Sequence, residues 1–131
     1  MFNIDKFIKT FDLPDLEGEG ALNMKEFEFL VEQIHNYPDE QIPWVIGLLC
    51  ANILKWRDQQ VDCGVSLDYF LAFLGPPAET KNNRKRRLNH ITPEQVQLLL
   101  EWLKQAHTWP AFKGMEEDLR DAEQFFTELK E

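Results

Sequence analysis

The chain has 131 residues, with 23 acidic against 14 basic side chains, a formal charge of −9, 44% apolar residues and sixteen aromatic ones. A chain of this size hides about two-thirds of its unfolded surface, so one domain can hold together without a disulfide or a metal. That composition argues against disorder over most of the length, and the acidic balance repels bare nucleic acid while favouring a basic partner.

Residues 3–11 place Ile4, Phe7, Ile8 and Phe11 at helical spacing, and Pro14 is expected to end that segment. The turn-rich "DLPDLEGEG" follows. Asn23 is a candidate cap for a second helix, with Glu26 three residues on as its capping-box partner and Met24, Phe27, Leu30, Val31 and Ile34 as the apolar stripe. A third helix is expected from about Asp39 to Asp58, with Pro43 in its first turns, where a missing N–H does least harm. Trp44 to Leu54 is apolar nearly all round, which marks a central helix covered on most sides.

Ser66 reads as the cap of a short helix, "LDYFLAFL", closed by Gly75 and the Pro76–Pro77 pair, with Asp68 and Tyr69 as its polar edge. Residues 78–91 are expected to form a loop. Thr92, Pro93 and Gln95 then give a strong start signal for a helix reaching about His107. "TWPAFKG" turns the chain into a last helix over about 115–130, carrying Leu119, Ala122, Phe125, Phe126 and Leu129. Neither alternating β-branched runs nor hairpin turns occur. The expected fold is therefore all-α: a single compact bundle of five or six helices over residues 1–131, with a central buried helix near 40–58 and a basic surface loop at 78–91.

The residues that carry chemistry exclude more than they assign. Asp12, Asp15, Glu17 and Glu19 crowd one loop, but counting from Asp12 puts Pro14 at the third position and Asn23 at the twelfth, so the calcium-loop pattern fails. Glu32 and His35 form one Glu-x-x-His, whereas a di-iron bundle needs two with further glutamates; a surface contact along the helix is expected instead. Nucleophile elbows, zinc-protease motifs and phosphate-cradling glycine loops are missing from the sequence. Cys50 lies in an apolar run, where a thiol is a small buried hydrophobe of raised pKa; with Cys63 it fits no redox or zinc spacing. Two reduced thiols, no visible signal peptide and no apolar run near the ~20 residues of a membrane span suggest the cytoplasm. Neither cofactor, metal nor catalytic activity is expected.

Charge is unevenly placed. Residues 1–79 carry −9, residues 80–92 carry +5 and residues 93–131 carry −5. Lys81, Arg84, Lys85, Arg86 and Arg87 make the basic run, and three readings of it compete. As a nucleic-acid contact, five cations on duplex phosphates would lose roughly 500-fold in affinity between 50 and 200 mM salt. The run has no interleaved aromatic to stack on bases, and the helix after it is not basic. As a protein contact it would meet an acidic partner or a second copy. As a solvated loop it would need no function.

The helix after Thr92 adds one feature. Val96, Leu99, Leu100, Leu103 and Ala106 form a core stripe, and Leu98 and Trp102 a second beside it, giving an apolar arc about 200° wide. Either the helix packs on two sides, or Leu98 and Trp102 face a partner, for which Trp is a favoured anchor. The sequence thus supports a non-catalytic protein that works by binding another protein, as adaptor, inhibitor or small regulatory or structural subunit, with a homodimer as one version. A nucleic-acid accessory role through residues 81–87 is the alternative.

Overall fold

The structure, a computed structural model, describes residues 2–59, 64–75 and 88–130. Among the described residues there are six α-helices and no strand, as the periodicity predicts. The basic run 81–87 and Cys63 lie outside the described residues.

Local chemistry sets most boundaries. Helix α1, Ile4–Thr10, starts where the Asn3 side chain accepts the Lys6 N–H at 3.1 Å. It ends before Pro14 is reached, because Asp12 turns the chain with φ 55°, a left-handed conformation that Asp tolerates. Helix α2, Met24–Gln33, carries the expected capping box: Asn23 Oδ1 accepts the Glu26 N–H at 2.8 Å, and Glu26 Oε1 accepts the Asn23 N–H at 3.0 Å. Helix α3 is α-helical only over Ile42–Ile53; tighter single turns at Asp39–Gln41 and Leu54–Trp56 make up most of the rest of the expected span.

Helix α4 runs Gly64–Leu74. It begins two residues before Ser66, so Ser66 lies inside the first turn and is not the cap. Helix α5, Pro93–Ala106, has the Thr92–Gln95 capping box and Pro93 at its first position. Helix α6, Glu116–Lys130, follows a short turn at Pro110–Phe112. Its first turn holds Glu116, Glu117 and Asp118, where the helix dipole favours negative charge.

One hydrophobic cluster runs from Phe7 in α1 to Phe126 in α6. Helix α3 is its axis, with eleven of twelve residues buried and only Trp44 reaching solvent. Each fully buried Ile, Leu or Phe contributes about 1.5–3 kcal/mol, offset by lost chain entropy. Close packing shows at Gly47: a Cβ there would sit 2.6 Å from the Phe11 ring, so the Phe11 side chain at the end of α1 packs directly on the α3 backbone.

The loop between α1 and α2 has no regular structure and is held by side chains of α3 and the turn after it. Asn52, fully buried, accepts the Leu22 N–H at 2.9 Å and donates to Gly20 O and Leu48 O, each at 2.9 Å. Lys55 Nζ donates to Leu16 O at 2.8 Å and Trp44 Nε1 to Asp12 O at 3.1 Å. Every polar atom of the buried amide is thus used, which is the condition for burying one without a desolvation cost.

Candidate partner-binding surface

Leu98 and Trp102 do not face a partner. They are 3% and 0% exposed, so the wide apolar arc of α5 is packed on two sides within the chain. Trp102 Nε1 donates to Cys50 O at 3.0 Å, and its ring meets Trp109 and Phe112 edge-on, with centroids 5.4 and 5.6 Å away. An indole whose N–H is satisfied by α3 and whose faces are filled has nothing left to offer another molecule.

The open apolar surface lies on α4. Leu67, Phe70, Leu71, Phe73 and Leu74 point into the core, yet the opposite side is only partly polar, with Asp68 at its edge. Val65, Tyr69 and Ala72, spaced four and three apart, share that outer face. Val65 is 70% and Tyr69 64% exposed, and Ala72 is exposed as well. Next to the stripe a groove of about 350 Å³ runs between α4 and α2, lined by Val31, Glu32, His35, Tyr69, Ala72 and Phe73. His35 and Phe73 meet edge-on across it, with centroids 5.2 Å apart. Glu32 and His35 therefore line a groove wall, and among the described residues no group of three or more His, Cys, Asp or Glu is placed to hold a metal ion.

Both flanks of the stripe are acidic. Glu32 stands on the α2 side. On the α6 side Asp68 of α4 comes within hydrogen-bonding reach of Asp118, with Asp121 and Glu117 near by. The shared hydrogen bond with Asp68, partial burial and these like charges push the Asp118 carboxyl above the usual range. Among the described residues no lysine or arginine forms an ion pair with either carboxylate. Glu116 goes the other way: its own N–H and that of Gly114, 3.3 Å from Oε1, hold its carboxyl below the usual value.

A second apolar opening, of about 370 Å³, lies on α2, where Phe29 is 59% exposed beside Leu22, Lys25 and Leu30. It contains one large exposed side chain, which is ordinary for a protein surface. Cys50 is a free thiol, fully buried, and burial pushes its pKa well up, which leaves it inert as a nucleophile.

Of the residues the sequence singles out for partner contact, Leu98 and Trp102 belong to the core, and Lys81, Arg84, Lys85, Arg86 and Arg87 lie outside the described residues. Val65, Tyr69 and Ala72 form an exposed surface that the sequence expectation does not include. Their i, i+4, i+7 spacing is visible in the sequence, but starting the helix at Ser66 leaves Val65 out of it. No helix among the described residues is long and apolar enough to cross a membrane. The chain matches no family model, no curated protein and no solved structure.

Proposed function

We propose that this is a non-catalytic binding protein that acts through protein–protein contact, as an adaptor, inhibitor or small subunit. The observation that carries the reading is the outer face of α4, where Val65 and Tyr69 stay exposed on a helix otherwise built like a core helix. An apolar helix face is stable where it is covered, and the described residues leave this one open. The free buried thiol of Cys50 fits a reducing compartment, for which the cytoplasm is the simplest choice.

A photo-cross-linking residue placed at Tyr69, and as a control at exposed Lys113, tests the reading in the native cells. A discrete protein adduct from position 69 and none from 113 is expected. Equal or empty results at the two positions would remove it. The second reading, nucleic-acid binding through Lys81, Arg84, Lys85, Arg86 and Arg87, has the clustering of five cations in its favour and a charge of −14 on the rest of the chain against it. Retention of a labelled duplex at 50 mM salt, lost when those five residues are neutralised, would establish it; no retention ends it.

A further inference from the structure

The stripe Val65–Tyr69–Ala72 spans about 10 Å, two turns of helix, which is the length an amphipathic helix presents with anchors at i, i+4 and i+7. The groove of about 350 Å³ lies along one edge, between Tyr69, Ala72 and Phe73 on α4 and Val31 and Glu32 on α2. The charges beside it select the occupant. Glu32 borders one edge; Asp68 and Asp118 border the other, with the charges of Asp121 and Glu117 near Asp118. A two-fold pairing of α4 with α4 of a second copy is a poor fit, because it would set Asp68 and Asp118 against the same acidic face. A cation placed between Asp68 and Asp118 relieves their mutual repulsion and forms charge-assisted hydrogen bonds to both.

We propose that the outer face of α4 docks a basic amphipathic helix of a partner protein, with apolar side chains on Val65, Tyr69 and Ala72 and a lysine or arginine between Asp68 and Asp118. The proposal rests on the protein-binding reading above. The apolar stripe supplies the contact that excludes water, and the acidic borders set the orientation and speed the encounter. Binding should weaken with salt, because both borders are solvent-facing and screened.

The test uses the whole protein and a synthetic peptide of leucine and lysine at amphipathic helical spacing. Two control peptides replace lysine by glutamate or leucine by serine. Amide chemical shifts are followed by NMR at 50 mM and 300 mM salt, with circular dichroism checking that each variant is folded. The leucine–lysine peptide is expected to move the resonances of residues 65–73 and Asp118, and to bind at least about tenfold more tightly than the serine control. The glutamate peptide should not bind. Tyr69→Asp, and independently Val65→Asp, should weaken binding about tenfold. Asp68→Asn with Asp118→Asn should weaken it several-fold and flatten its salt dependence.

The proposal is overturned if the leucine–lysine peptide fails to bind or binds the acidic loop 12–19 instead. Indifference to Tyr69→Asp and Val65→Asp, or a dimer in sedimentation that Tyr69→Asp dissolves, would do the same. A native cross-link from position 69 into an uncharged segment of a partner would remove the basic helix and leave the protein-binding role standing. Loss of the native cross-link altogether removes that role as well.

Discussion

Of the twelve residues of α3 only Trp44 reaches solvent, whereas α4, almost as apolar along its eleven residues, leaves Val65 70% and Tyr69 64% exposed. Helix α3 has α1, α2 and the flanking turns packed against it, and Cys50 O takes the Trp102 N–H from α5. Helix α4 has α2 on one side and α6 on another, and the described residues leave its third side open. Near-uniform apolarity thus has two outcomes in one molecule. In α3 it reflects burial by the chain itself, and the single polar residue buried there, Asn52, has all its hydrogen bonds made. In α4 it exceeds what the described residues cover, and that surplus is the physical argument behind the proposed partner.

Substitutions around α3 should cost much and those on the outer face of α4 little; five measurements sharpen or break the contrast. Trp102→Ala removes a fully buried indole and its hydrogen bond to Cys50 O, and should lower the unfolding free energy in urea by about 3–5 kcal/mol. A loss under about 1 kcal/mol would mean that α5 does not seal α3. Asn52→Ala should cost about 2–4 kcal/mol, because Leu22 N and Gly20 O lose their buried partner. Hydrogen exchange at Leu22 should accelerate with it.

Gly47→Ala sets two effects against each other. Alanine gains up to about 1 kcal/mol of helix propensity over glycine. Its Cβ would meet the Phe11 ring at 2.6 Å, and overpacking costs about 1–3 kcal/mol, so net destabilisation is expected in thermal unfolding. A rise in melting temperature would show that α1 shifts freely on α3. Tyr69→Ser, on the open face of α4, should change stability by no more than about 0.5 kcal/mol. A large loss would place Tyr69 in the core's energetics and weaken the contrast.

The smallest effect is in pH. The folded Asp118 carboxyl has a raised pKa, so between the unfolded value near about 3.9 and the folded one the native state holds more protons. Its contribution to stability therefore grows as pH falls from neutral through the folded pKa. Glu116, with a lowered folded pKa, stabilises above its unfolded value and loses that contribution as pH falls through the folded one. Asp118→Asn should remove the first effect alone and raise stability at pH 7 by a few tenths of a kcal/mol, small because solvent screens the group. Titration of urea midpoints between pH 3 and 7 reads both.

Much of this architecture is legible before any coordinates. The capping boxes at Asn23 and Thr92 are recognisable because a cap is a local event, settled by residues three apart. The burial of α3 is legible because no face of it is polar enough to meet water. The surface was not legible, for a related reason. Periodicity shows that α4 and α5 are wide apolar helices, but which side another element covers is decided by residues distant in sequence. Trp102 is covered by α3 and by the 109–112 turn, while Tyr69 meets no comparable cover. The boundary at Gly64 is hidden in the sequence by Ser66, which has the chemistry of a cap.

Cys50 offers one more use of the interior. Its thiol is fully enclosed, and the carbonyl of the same residue receives the Trp102 indole. In a Cys63→Ser background, a thiol reagent can reach it only after the bundle opens around α3. At saturating reagent the alkylation rate becomes a stopwatch for that opening, read without denaturant.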